Sequence, residues 1–375
     1  MKKLKIGVIG AGYWGPNLIR NFSACPLTEV AAVCDSSPER LDAIGRSDGH
    51  LSLVGSLDEL LEMKLDAVAI ATPVSTHSAL ASRCLEAGLD VLVEKPLAAS
   101  VLEAQALVDL ADRCGRILMV DHTYLFSGAI RRIKELIEGG ELGDLYYVDS
   151  IRINLGLFQR DINVIWDLAP HDLSIVDYLI GREARSISAS GCAHADRNIE
   201  DVAYVNVDYD DQFQANIQVN WLSPVKVRQM IFAGSRKSLI FNELNLTEPI
   251  KIYDRGINLN DGDEERHKQL VSYRLGDVWS PHIDPGEALQ GVVSHFAECI
   301  RHRQTPLSDG RLGLRVVRQL EAATRSIRAQ GGRVVLSHGA SANGHAAPRE
   351  VGPDQRSPAG AGRNGRAKRP DVLLR

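Results

Sequence analysis

From Leu4 to about Val120, short apolar runs alternate with amphipathic stretches, the pattern of a parallel sheet joined by crossover helices. The runs fall at residues 6–9, 30–34, 53–54, 67–71, 91–93 and 117–120. Two of the intervening helices carry start signals, Ser56 with Glu59 and Ser100 with Glu103. At that spacing serine and glutamate satisfy backbone donors that a helix start leaves free. The pattern predicts a doubly wound α/β domain over residues 1–122.

After Val120 the period changes. Ile130, Ile133, Leu136 and Ile137 predict a helix over 124–138 that stops at Gly139-Gly140, and a second helix is expected over 170–179, closed by Gly181. Segments 145–154, 186–191, 202–209, 213–221, 226–233, 238–241 and 250–253 are β-branched or alternating. They predict a largely antiparallel sheet in a second, α+β domain over 123–340, the candidate substrate-binding and oligomerisation domain. Residues 288–301 and 311–330 read as amphipathic helices that pack back on the body. From Ser341 to Arg375 the chain is Gly, Ala, Pro, Ser and Arg without apolar period, which predicts a disordered tail with seven basic residues against three acidic ones.

Composition narrows the classes of function. A chain of 375 residues exceeds what one core ordinarily fills, which fits two domains. Apolar residues make up 44% of it, yet no run approaches the roughly 18 residues of a membrane span. The opening Met1-Lys2-Lys3 imitates an export signal, but Gly7, Gly10 and Gly12 break the apolar stretch behind it. The six cysteines show no paired spacing and no adjacent histidines, which argues against disulfides and against a metal site. A reducing, cytoplasmic setting is expected. Net charge of −5 and 5% aromatic residues leave no footprint for nucleic acid, and no membrane partner is expected.

Three motifs carry chemistry. Gly10-Ala11-Gly12-Tyr13-Trp14-Gly15 lies between a strand and a helix, and Asp35 ends the next strand. Gly10 permits the tight turn, Gly12 lets backbone approach a pyrophosphate, and Gly15 permits close helix packing. Asp35 would accept ribose hydroxyls, and Ser36-Ser37 offer no cation for a 2′-phosphate, so NAD is favoured and NADP is the alternative. Glu94-Lys95-Pro96 follows an apolar strand at its carboxyl end, where ligands of open α/β sheets bind, and Lys95 is expected to face the reactive end of the cofactor. An unusual peptide bond is expected before Pro96. Thr72, Pro73 and His77 follow another strand end and are expected to line the nicotinamide ribose pocket. In Trp166-Asp167-Leu168-Ala169-Pro170-His171-Asp172, Asp167 and His171 stand four apart, so on a helix the carboxylate would orient the ring and raise its basicity. Pro170 suits the first turn of that helix.

In this order and at these separations, the glycine fingerprint, Glu94-Lys95-Pro96 and the Asp167/His171 pair resemble the glucose-fructose oxidoreductase, inositol dehydrogenase and MocA-like family over about residues 4–336. The resemblance implies a Rossmann domain followed by an α+β domain with an open sheet, a catalytic set of Lys95, Asp167 and His171, and hydride exchange between NAD or NADP and a sugar-like secondary alcohol. It also implies Tyr13, Trp14, Glu94, Lys95 and Pro96 at the cofactor. The stretch from Arg152 to Asp172 is similar to members that act on nucleotide sugars in surface-polysaccharide and amino-sugar pathways, where a UDP-N-acetylhexosamine is oxidised at C3. Arg152, Asn154, Arg160 and Asn163 are then expected to hold the diphosphate or the sugar together with His171. Asp121-His122-Thr123-Tyr124 departs from the segment many members carry, which weakens an analogy to free-sugar specificity. Inositol or free-sugar dehydrogenases and keto-sugar reductases share the catalytic residues, and a sensor that catalyses nothing would not need all three. An open sheet face predicts a homo-oligomer, a dimer or tetramer.

Overall fold

The structure is a computed structural model that describes residues 2–47, 49–156, 158–210, 213–259 and 271–336. The predicted tail lies outside the described residues. Six strands form the first sheet: β1 (Leu4–Ile9), β2 (Thr28–Cys34), β3 (Ser52–Val54), β4 (Ala67–Ile70), β5 (Asp90–Glu94) and β6 (Leu118–Asp121). They run parallel in the order β3-β2-β1-β4-β5-β6. The order reverses between β1 and β4, and doubly wound sheets open a ligand crevice at such a switch. Every residue of β4, β5 and β6 is buried, as helices on both faces require.

The connecting helices are α1 (Gly15–Ala24), α2 (Pro38–Ser47), α3 (Leu57–Leu61), α4 (Val74–Glu86) and α5 (Val101–Cys114). Both capping boxes form, with Ser56 accepting from the Glu59 amide and Ser100 from the Glu103 amide. Helix α1 has Pro16 in its first turn and no side-chain cap. Its apolar stripe of Leu18, Ile19 and Phe22 is buried, each such side chain contributing about 1.5–3 kcal/mol.

The predicted helix over 124–138 is two elements. A 3-10 turn at Thr123–Phe126 ends at Ser127, whose hydroxyl accepts the Ile130 amide and starts α6 (Gly128–Glu138). Helix α7 (Val164–Ile180) begins six residues ahead of the predicted start, because the Asn163 side chain caps it by accepting the Trp166 amide. Pro170 therefore lies inside α7 rather than in its first turn.

The second sheet has nine strands: β7 (Leu145–Leu155), β8 (Ser186–Cys192), β9 (Val202–Asp210), β10 (Phe213–Asn220), β11 (Leu222–Gly234), β12 (Ser238–Asn242), β13 (Ile250–Leu259), β14 (Val271–Trp279) and β15 (Val334–Val335). Their order is β14-β13-β12-β11-β7-β10-β9-β8-β15. The pairs among described residues are antiparallel except β7 with β10. Strand β14 has no counterpart in the sequence pattern, which broke off at residue 253.

Alternation on β10 turns Ala215, Ile217 and Val219 toward α7 and leaves Gln214, Asn216 and Gln218 on the opposite face. On that face Asn206 Nδ2 donates to Asn216 Oδ1 at 2.6 Å, and Asn216 Nδ2 donates to Asp149 Oδ1 at 2.9 Å. The open face is thus polar at its centre, with Tyr147 and Tyr204 exposed beside the ladder.

Two last helices return to the first sheet. Helix α8 (Ala288–His302) packs on α1, where Phe22 and Phe296 meet edge to face at 6.4 Å. Helix α9 (Gly310–Arg328) lies against α5, α7 and β8. At Gly313 a Cβ would come within 2.7 Å of Val120, and at Gly310 within 2.8 Å of Leu118, so the start of α9 sits flush on β6.

Candidate active site

A cavity of about 730 Å3 runs from the glycine turn after β1 to the end of β5 and the first turns of α7. At Gly10, φ is +99° and a Cβ would stand 2.7 Å from the Ala71 carbonyl oxygen; at Gly15 it would overlap the Gly10 carbonyl oxygen. Nothing lies within 4 Å of the Cβ position at Gly12. Two glycines therefore close the turn and the third leaves a bare backbone facing open space, which fits a pyrophosphate at an uncapped helix start. Tyr13 and Trp14 line the cavity, exposed and edge to face at 5.6 Å.

Asp35 is buried at the end of β2. Its Oδ2 accepts the Ala11 amide at 2.7 Å and its Oδ1 the Ser37 amide at 2.8 Å, so the carboxylate braces the glycine turn as well as facing the cavity. Ser36 and Ser37 offered no cation, but Arg40, in the first turn of α2, reaches within 3.5 Å of Asp35 and lines the same cavity. The spacing rule missed it because a helical turn brings residue 40 back toward residue 35. Asp35→Ser should therefore raise the ratio of kcat/KM with NADP to that with NAD by about tenfold, since Arg40 stays to meet a 2′-phosphate. An unchanged ratio would place the carboxylate away from the ribose.

Thr72 and Pro73 line the cavity as expected, with the Thr72 and Thr76 hydroxyls 2.7 Å apart. His77 does not line it. The ring is buried beneath two loops, with Nε2 at 2.8 Å from the Thr72 carbonyl oxygen and Nδ1 at 2.9 Å from the Pro96 carbonyl oxygen. It ties the loop after β4 to the loop after β5 instead of touching the ribose pocket. The Lys95-Pro96 bond is cis, and Glu94, Lys95 and Pro96 all border the cavity.

Lys95 Nζ donates to the Asp167 carbonyl oxygen at 2.8 Å and lies 3.4 Å from Asp167 Oδ1. The other carboxylate oxygen, Oδ2, accepts the Trp221 indole N–H at 3.0 Å. Asp167 and His171 share a face of α7, yet the carboxylate is engaged by these nearer donors, and His171 Nδ1 is buried without a hydrogen-bond partner. Asp167 orients Lys95 rather than His171. The basicity expected for His171 is also reversed, because burial, with Lys95 and Arg152 nearby, pulls its pKa well below the ordinary value. The ring is held edge-on to Tyr124 at 5.0 Å. Trp221 was invisible as a site residue in the sequence, where it reads only as the end of an alternating strand.

Of the four residues expected to bind substrate, two are committed elsewhere. Arg152 is buried, with Nε 2.9 Å from Asp172 Oδ2 and NH2 3.0 Å from Oδ1, and its NH1 donates to Glu243 and to the Tyr124 hydroxyl. Its guanidinium cannot also grip a diphosphate. Asn163 caps α7 with its oxygen and donates its amide to Glu200 Oε2 at 2.8 Å. Asn154 keeps a buried Oδ1 with no partner. Arg160 is exposed in the link between β7 and α7, beside Gln159, Asp161 and Ile162, which line the cavity.

His122 packs behind this centre with both ring nitrogens buried and unpartnered. Burial, reinforced by Lys95, brings its pKa down to about 3. A histidine neutral when folded but titrating near 6.5 when unfolded costs nothing above about pH 6.5, and the cost grows by about 1.4 kcal/mol per pH unit as pH falls toward 3. Asp121 works the other way: burial lifts its carboxyl to about 6, so the folded state holds an extra proton down to the unfolded value. The difference between the parent and His122→Asn isolates the histidine. The variant should lose stability less steeply between about pH 6 and 4.5 in urea titrations, and parallel curves would contradict a neutral His122.

Comparison with known proteins agrees with this geometry. Residues 4–122 match the family model described as an oxidoreductase family with an NAD-binding Rossmann fold, and residues 130–240 match the GFO/IDH/MocA C-terminal domain. D-apiose dehydrogenase of Paraburkholderia graminis is 25% identical over 341 residues, covering 88% of each chain. UDP-N-acetylglucosamine 3-dehydrogenase of Acidithiobacillus ferrooxidans is 28% identical over 320 residues, covering 84% of this chain and 95% of that one. A solved structure of the latter enzyme superposes with a TM-score of 0.71 at 26% identity, over 88% of this chain and 99% of its own.

Proposed function

The chain belongs to the GFO/IDH/MocA oxidoreductase family, and we propose that within it the protein oxidises a nucleotide sugar, a UDP-N-acetylhexosamine at C3, with NAD. That it is an NAD-dependent oxidoreductase acting on sugar CH–OH groups follows from the family and its named relatives. The 3-keto product suits transamination in amino-sugar or surface-polysaccharide biosynthesis. The observation that supports the catalytic reading is the contact of Lys95 with Asp167 in the wall of the cavity that also holds Asp35, with His171 one helical turn beyond Asp167 on α7.

The neutral His171 ring takes the hydroxyl proton, while Lys95, held by Asp167, donates to the same oxygen and stabilises the alkoxide in a water-poor site. Gly10–Gly15 and Asp35 would hold NAD, which would supply the hydride acceptor for the alcohol carbon. Tyr13 and Trp14 line the cavity beside the glycine turn, and Arg160 stands between Gln159 and Asp161, which also line it. The relative that acts on a UDP sugar and the cavity volume of about 730 Å3 support the nucleotide-sugar reading.

A second reading, a free sugar or polyol dehydrogenase, is favoured by the engagement of Arg152 and Asn163, which removes two expected phosphate partners. Nicotinamide reduction with UDP-N-acetylglucosamine, its uronic acid, myo-inositol, apiose and glucose separates the two. Turnover with a UDP sugar alone supports the first, and turnover with a free polyol alone replaces it with the second. We expect a homo-oligomer through the polar open face of the second sheet, and a monomer by light scattering would refute this.

A further inference from the structure

Glu94 and Asp121 are register neighbours at the carboxyl ends of β5 and β6. Adjacent strands lie about 4.8 Å apart, so the two side chains leave the sheet together. Both are buried, at 8% and 1% exposure, and Glu94 borders the cavity beside Lys95. Among the described residues neither carboxyl forms an ion pair with a cation: the Lys95 ammonium is turned to Asp167. Asp121 Oδ1 accepts the Thr123 hydroxyl at 2.7 Å, and Oδ2 has no donor. Two carboxylates this close, out of water and with no cation in ion-pair contact, do not both ionise.

We propose that Glu94 and Asp121 hold one proton between them, so that the pair carries a single negative charge beside the reactive end of the cofactor site. That charge favours the oxidised, cationic nicotinamide over the neutral reduced form. The groups that face the pair are Lys95 after β5, the Thr123 hydroxyl, and each carboxyl itself. Burial first, then Asp121, pushes Glu94 well above the carboxylate range, and burial lifts Asp121 to about 6. The proposal rests on the NAD-site reading but on no choice of sugar.

Two measurements need only protein and cofactor, so a wrong substrate assignment leaves them untouched. Infrared difference spectra at neutral pH should show the carbonyl stretch of a protonated carboxyl group in the parent protein. The band should vanish in Asp121→Asn and in Glu94→Gln, because each variant leaves a lone carboxylate with an amide donor. A parent spectrum without the band overturns the shared proton, and needs no variant to fold.

The second readout is the ratio of NAD affinity to NADH affinity. Either single variant keeps one negative charge and should leave the ratio within about twofold, whereas Glu94→Gln with Asp121→Asn removes the charge and should lower it by about tenfold. A ratio unchanged in the double variant overturns the electrostatic role. A ratio already reduced in Asp121→Asn would mean that the parent pair carries two charges, and would overturn the proposal as a whole.

Discussion

Replacing His171 or Lys95 by alanine is expected to lower kcat by about 10²- to 10⁴-fold while the Kd for NAD stays within about threefold. His171 is the buried ring packed edge-on to Tyr124, one helical turn beyond Asp167, and its loss removes the proposed proton acceptor without disturbing the glycine turn. Lys95 is fixed by two contacts to Asp167, so its loss removes the donor to the alkoxide and frees Asp167. Trp221→Phe is the informative control. It deletes the indole N–H on Asp167 Oδ2 and keeps every reacting group, so a smaller fall in kcat should accompany it. Stopped-flow turnover and fluorescence titration of NAD measure both quantities. Turnover within tenfold of the parent in either alanine variant would remove that residue from the reaction.

The largest effect on stability is expected at the buried pair beneath the same centre. Asp172 is 0% and Arg152 3% exposed, joined by two parallel hydrogen bonds that tie α7 to β7. Removing one partner strands a charge out of water, and Asp172→Ala should cost about 3–5 kcal/mol in urea unfolding. Arg152→Met with Asp172→Leu should recover most of that loss, because an apolar pair leaves no uncompensated charge. The double variant should still turn over poorly, since Arg152 also packs over the Tyr124 ring against which His171 rests. A single-variant cost under about 1 kcal/mol would show that water reaches the pair.

The first sheet was legible because its signals are local. Apolar runs of two to five residues, glycines at fixed offsets and serine caps are each local signals, and all fall where the structure has them. The second sheet was legible in its strands as far as residue 253 but not in β14, β15 or its order, since nothing in β7 announces a parallel neighbour in β10. The site was legible as a set of residues and not as a set of bonds. Lys95, Asp167 and His171 converge, but helical spacing suggested an Asp167–His171 bond that Trp221, 54 residues further on, and Lys95, 72 residues before, prevent. Arg152 and Asn163 failed as substrate ligands for the same reason: an arginine looks free until the distant Asp172 and Glu243 are known. His77 was placed after the right strand and given the wrong neighbours, because sequence does not say that a ring in the first turn of α4 points under the loops after β4 and β5.

The seat of α9 on β6 bears on the order in which the protein becomes itself. Leu118 and Val120 are covered by Gly310 and Gly313, so the nucleotide-binding half borrows part of its shell from near the far end of the chain. A ribosome adding about 5–20 residues per second emits the last strand of the first sheet roughly 10–40 s before that helix emerges. For that interval the nascent half carries a bare apolar strip. Translation speed, and whatever chaperone shields the strip, therefore govern the yield of active protein, and a piece ending at residue 122 would keep the strip permanently.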